Sequence, residues 1–458
     1  MLNKLPTLNA ALIKVVGVFS CNKKDIHTFK QMGYEHLPIM ARDEIDAKKI
    51  EKDNTYIRDY YYAEFAELFF SNEKNDKSTP TPKYLKKEFQ FDFIKKTIDG
   101  DKLIPAIVIN PEIYFFKNNS TGIFSLTFKL IEKDFNYLSD ITYCASSFDF
   151  EVNENNTKMA FHEWISTNVL GGIELRGENI DTDKYSGSKF KVYTIIDVLE
   201  NDKENFYSRN HLLYDIGTRS PVGTMGSNAY NAPSQQYYEE LMHDNLNIFN
   251  NYQGLALLDS FTIIGNDIYP EIVNNESEAN KQNTYNRIYF SMYVFNLFMR
   301  YSVFKFNATY KTDLDPRKKR DEFQQFLTDY NFKHISFNFL PNIFFNKMRK
   351  AMGIDEEIEH FESRLDSLAT KIQEDQDKRQ AILLGVISAL SSISAVEPIF
   401  SFLDNFQKSS GISISVFYSV FSLLVVSLAL GVLAFLFPGL FKKIVNRIKN
   451  KSSKNVQA

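Results

Sequence analysis

Two stretches of this sequence carry residue types that do more than pack. In GTRSPVGTMGSNAYNAPSQQYY, residues 217–238, Gly223, Gly226 and Ser227 can present backbone amides to an anion, Arg219 can pair with phosphate, and Tyr230 or Tyr237 can stack on a base. The same composition also describes a plain flexible loop. It is no P-loop, because Gly217 and Gly223 are wrongly spaced and no Gly-Lys-Ser follows. The second stretch is SALSSISAVEPIFSF, residues 388–402. On a helix turning about 100° per residue, Ser391, Ser394, Glu397 and Ser401 share roughly a third of the circumference, with Ser388 beside them. A carboxylate at membrane depth is expensive unless it faces water or a partner. Two arrangements satisfy that condition: these residues line a wet pore built by several copies, with Glu397 as an acidic ring, or they pack closely on a neighbouring helix.

Signals for catalysis or metal binding are weak. His162 beside Glu163 suggests a base, yet Ser166 stands where the second histidine of HExxH would be, and no GxSxG elbow occurs. No catalytic residue and no metal ligand is assigned, and the chain is expected not to be an enzyme. Cys21 and Cys144 lie far apart without a CxxC or Cys/His cluster, which suits two buried thiols in a reducing compartment.

The elements that position these residues can be read along the chain. In MLNKLPTLNAALIKVVGVFSC, Lys14 divides the apolar run, which favours a buried strand or helix over a signal peptide and places the N-terminus in the cytosol. Strands are expected at 103–109, 112–116, 122–131, 189–199 and 255–265, and helices within 43–70, 157–167 and 237–249. Together these form an α/β sensor body over 1–275. A helical subdomain follows at 284–353; its aromatic helix carries Arg287 and Arg300, which suits a packed core better than a membrane span.

Ile354, Ile358, Phe361, Leu365, Leu368 and Ile372 alternate in steps of four and three, a heptad seam for a stalk helix over 354–380. Next come an apolar run at 381–403, a polar link at 404–410 and a charge-free run at 411–441, whose 31 residues exceed the roughly 30 Å of a hydrocarbon core at about 1.5 Å each. The tail 442–458 is basic, with six Lys and Arg and no acid, so the chain ahead of it is more acidic than the overall net charge of −4. An acidic body argues against direct nucleic-acid binding. Cations before the first run and after the second place both ends in the cytoplasm, as a two-span membrane protein.

A stalk helix running into a first span, a short outer link, a second span and a basic tail resembles the CorA-type divalent cation channels over residues 354–458. That resemblance implies a homo-oligomer, a pentamer in the family, seated in the lipid bilayer of the cell's inner membrane, with the first span lining the pore and the stalk transmitting gating. The family's Gly-Met-Asn filter is missing, since this chain reads SAVEPIFSFLDNF there, so magnesium selectivity does not carry over. The enlarged body and absent filter look like the divergent CorA-like effectors of type III CRISPR systems, for which the activator is a nucleotide messenger joining S-adenosylmethionine to AMP. The expectation is thus an α/β cytoplasmic domain, a stalk and two C-terminal transmembrane helices, forming a nucleotide-gated ion channel in antiviral defence with no other cofactor. A divalent metal transporter with a different filter and a membrane-anchored enzyme are the alternatives.

Overall fold

The structure is a computed structural model, and it describes residues 5–21, 23–37, 47–70, 82–116, 120–173, 175, 189–199, 206–225, 232–269, 281–309 and 316–394, with 398, 401, 402, 404, 405, 408 and 422. The chain divides into two units, Met1–Glu362 and Ser363–Ala458.

Eleven strands of the first unit form one mixed sheet. They are β1 (Thr7–Ser20), β2 (Glu35–His36), β3 (Lys83–Tyr84), β4 (Glu88–Thr97), β5 (Gly100–Tyr114), β6 (Thr121–Phe128), β7 (Glu151–Glu154), β8 (Thr157–Ala160), β9 (Lys191–Leu199), β10 (Tyr252–Ala256) and β11 (Ser260–Gly265). The order is β10-β11-β9-β1-β6-β5-β4-β7-β8, with the β2–β3 pair attached to β5. Only β9 and β11 run parallel among these pairs, and the long crossover between them carries two helices, as parallel pairing requires. Lys14 does not break β1: the strand runs through it from Thr7 to Ser20, and its apolar residues from Leu12 to Phe19 are buried.

Two sequence expectations change in detail. The segments 103–109 and 112–116 are one strand, because Asn110 at φ 44° absorbs a register shift between Ile109 and Glu112. The segment 255–265 is two strands, joined by a short link that ends at Asp259. Asp and Ser are turn formers, and here they outweigh the apolar residues on either side.

Helices cover both faces. The first helices in the chain are α1 (Lys23–Gln31), α2 (Ala47–Tyr60) and α3 (Ala63–Phe70). On one side of the sheet lie α4 (Phe135–Ala145), α5 (Phe161–Asn168) and α6 (Phe206–Gly217), whose Leu138, Ile141, Trp164 and Leu213 share a core with Val15, Leu126 and Ile196. The other face meets a π-helical turn (Thr284–Tyr289) and a long aromatic helix, Phe290–Thr309. There Tyr193 packs on Phe290 and Tyr293 with ring centroids 5.1 and 5.4 Å apart. Residues Phe290 to Met299 of that helix are buried throughout, as a core helix would be.

This second face also buries charge. Lys14 on β1 donates to Glu112 Oε2 at 2.8 Å, Arg287 of the π-helical turn to Oε1 at 2.5 Å, and the Tyr114 hydroxyl to Oε2 at 2.8 Å. Burial by itself would raise the Glu112 pKa, but Lys14 and Arg287 outweigh it and hold the carboxyl down at about 2. Burial lowers Lys14 to about 8, and the neighbouring Arg287 adds to this against the pull of Glu112. Both directions describe the same arrangement, two cations around one anion.

After the helices Pro316–Tyr330 and Phe339–Ala351, Gly353 at φ 61° turns the chain into a 41-residue helix, Ile354–Ser394. Within the first unit its seam residues Ile354, Ile358 and Phe361 are buried. In the second unit Ile372, Ile382, Leu383, Leu384, Val386 and Ile387 are exposed.

The two expected membrane-crossing helices are corrected. Among the described residues, no helix is long and apolar enough to cross a membrane. Along the helix Ile354–Ser394 the last charged residue is Arg379. The reading as a membrane ion channel, which rested on both crossings, is corrected with them. Apart from Ser422, the run 411–441 lies outside the described residues, as does the tail 442–458.

The Glu112 group sets a stability test. Glu112→Gln leaves two buried cations without their anion and is expected to cost about 3–5 kcal/mol in urea unfolding followed by the single tryptophan, Trp164. Lys14→Met leaves Glu112 paired with Arg287 and should cost markedly less. In the wild type, the stability this carboxylate contributes is present above its ordinary pKa of 4.5 and is lost as pH falls toward about 2.

Candidate functional site

The residue that links sequence to site is Arg219. It follows α6 and adopts φ 59°, a left-handed conformation uncommon outside glycine. Local bonds hold it there: its own amide donates to the Ile216 carbonyl, and the Ser220 amide donates to the Asp215 carbonyl at 2.8 Å. The Asp215 carboxylate accepts from the amides of Gly223 at 2.8 Å and Met225 at 3.1 Å, so the loop folds around it. Burial pushes Asp215 up to about 6 in spite of these amides.

From this position Arg219 Nη2 donates to Asp259 Oδ2 at 3.0 Å. The other oxygen, Oδ1, accepts from Lys191 at the start of β9. Asp259 ends the β10–β11 link, where its carbonyl also accepts from the Val192 amide at 3.1 Å. Burial opposes ionisation of Asp259, yet Lys191 and Arg219 outweigh it and lower its pKa. Burial also lowers Lys191, with Arg300 and Arg219 adding to the effect against the pull of Asp259. Arg300 Nη1 donates to the Met352 carbonyl, and Met352 precedes Gly353 and the long helix, so Arg300 supports a carbonyl at the helix junction.

The group is positive and incompletely satisfied. Two cations, Lys191 and Arg219, meet at Asp259, whose two oxygens are both engaged. The Arg219 side chain is 10% exposed, and its Nη1 is buried with no hydrogen-bond partner among the described residues. The Tyr301 hydroxyl is likewise buried without one among the described residues. Orphan buried donors are costly, by about 1–3 kcal/mol each, and ask for an acceptor. This arrangement can hold a small anion.

No family model, curated protein or solved structure matches the chain. Its own geometry is therefore the ground for assigning a function.

Of the residues expected to bind a ligand, Arg219 lies in this group, and Gly223 lies in the adjoining loop with its amide given to Asp215 rather than to an anion. Gly226, Ser227 and Tyr230 lie outside the described residues. Of the expected pore-lining residues, Ser388, Ser391 and Ser394 fall on the long helix and are exposed, Ser401 is exposed, and Glu397 lies outside the described residues. The two sets belong to different units. His162 contacts the Phe148 carbonyl at 2.9 Å, and Cys21 and Cys144 are buried free thiols that burial pushes up to about 12.

Lys191, Asp259, Arg300 and Tyr301 escape a reading of the sequence as site residues. Two signals mark the first two: a lysine heading the otherwise apolar run KVYTIIDVL, and an Asp-Ser pair interrupting LALL and FTIIG.

Arg300→Met removes the donor to the Met352 carbonyl, and the loss of about 1–3 kcal/mol should fall locally. Hydrogen exchange of the amides from Gly353 to Ile358 is expected to accelerate roughly five- to hundredfold, while the β1 amides keep their protection.

Proposed function

We propose that this chain is a homo-oligomeric sensor and transducer in which the sheet unit takes a nucleotide messenger and the helix Ile354–Ser394 passes the bound state on. The observation that carries it is the double role of Arg300. Its charge helps to lower the pKa of Lys191, and it also holds the carbonyl of Met352 just ahead of the long helix. An anion bound among these cations would compete for Arg300 and so bias the helix start, and a ligand shifts such an equilibrium only by its different affinity for the two states.

The CorA-like resemblance supplies the messenger class, an adenine nucleotide of the S-adenosylmethionine–AMP type, and the setting, type III CRISPR defence. Assembly has separate support. In the second unit the exposed apolar residues from Ile382 to Ile387 are what a helix covers by packing on copies of itself.

Two measurements on the full chain test this. Calorimetric titration with AMP, ATP and the methionine-linked AMP conjugate is expected to give saturable binding to at least one, weakened about tenfold or more by Arg219→Gln. Sedimentation should find an oligomer that Leu383→Lys together with Ile387→Lys dissociates. Absence of binding to every nucleotide at millimolar concentration would sink the sensor reading, and a wild-type monomer would sink the assembly.

A further inference from the structure

We propose that Asp259 is a built-in competitor, occupying with its carboxylate the place that a phosphate group of the ligand takes when the site fills. This role rests on the sensor reading above and specifies how its site is regulated.

The valences of the resident group do not match. A carboxylate offers two oxygens, and Lys191 and Arg219 use one each. Arg219 Nη1 and the Tyr301 hydroxyl remain buried without acceptors. A terminal phosphate carries a further oxygen and a charge of about −1.5 to −2 instead of −1, so it suits the Lys191–Arg219 pair and its spare donors better than the resident carboxylate does.

The location of Asp259 makes exchange feasible. Its side chain is 30% exposed, against 6% for Lys191 and 10% for Arg219, so the anion is nearer to water than either cation it pairs with. It sits on the short link between β10 and β11, with Leu258 beside it exposed, whereas its two cations come from the start of β9 and the turn after α6. Rotating one side chain at a hairpin tip opens the site without moving the sheet. The Glu112 group offers no such route, since its anion is buried between Lys14 and Arg287.

The test compares wild type with Asp259→Asn, which keeps shape and removes charge, and Asp259→Ser, which keeps a turn-forming residue. Trp164 fluorescence checks the fold of each. Inorganic phosphate, AMP, ATP and the methionine-linked AMP conjugate are titrated in parallel, so that plain phosphate and a nucleotide are told apart. Both variants are expected to bind the phosphate-bearing probe about tenfold or more tightly than wild type, and adding Arg219→Gln to either should abolish the gain. In wild type, amide exchange over residues 257–260 should speed up on binding as the link is released.

Binding by wild type that is equal or weaker in a folded Asp259 variant, or that slows exchange over 257–260, overturns the competitor role and leaves the sensor reading intact. Failure of wild type and variants alike to bind any probe overturns both. Gains with inorganic phosphate but with no nucleotide keep the displacement and remove the nucleotide.

Discussion

A single buried carboxylate, Glu112, joins the layers of this protein. It receives Lys14 from β1, Arg287 from the π-helical turn and Tyr114 from its own strand, all within 2.8 Å. A buried ion group of this kind gives little net stability over apolar packing, but it tolerates few alternative arrangements because breaking it strands a charge. It therefore sets the register of the π-helical turn over the sheet. The helix Phe290–Thr309 continues directly from that turn, and Arg300 follows about 15 Å along it, so the anchoring of Glu112 also decides where Arg300 arrives.

The two charged groups on this face share a pattern and differ in use. Each collects more cations than anions around one carboxylate. Around Glu112 the anion is enclosed, with Lys14 also lying 4.1 Å from the Phe290 ring centre, so the group works as a fixed joint. Around Asp259 the anion is more exposed than either cation it pairs with, and among the described residues Arg219 Nη1 lacks an acceptor. Incomplete satisfaction beside an accessible counter-ion separates a site that can exchange its anion from one that cannot.

Local signals carry part of this. Lys14 divides an apolar run that reads as a buried strand or helix, and Arg219 stands out in a loop of turn residues. Lys191, Asp259, Arg300 and Tyr301 are hidden for different reasons: three sit inside or beside apolar runs, where a polar residue looks incidental, and Asp259 lies in what reads as one strand but is a hairpin. The heptad spacing from Ile354 to Ile372 announces a long helix. It does not say whether that helix crosses a membrane, and among the described residues no helix is long and apolar enough to do so.

By itself the sequence determined the kinds of element and roughly where they lie, since the periods of 2 and 3.6 and the turn residues act over a few neighbouring positions. Only the tertiary structure decided which charges meet. Glu112 finds Lys14 98 residues away and Arg287 175 residues away, and Arg219 finds Asp259 across 40. Burial is what forces such charges to pair, and the partner is chosen by strand order and helix docking, which bring together residues that carry no mark of one another along the chain.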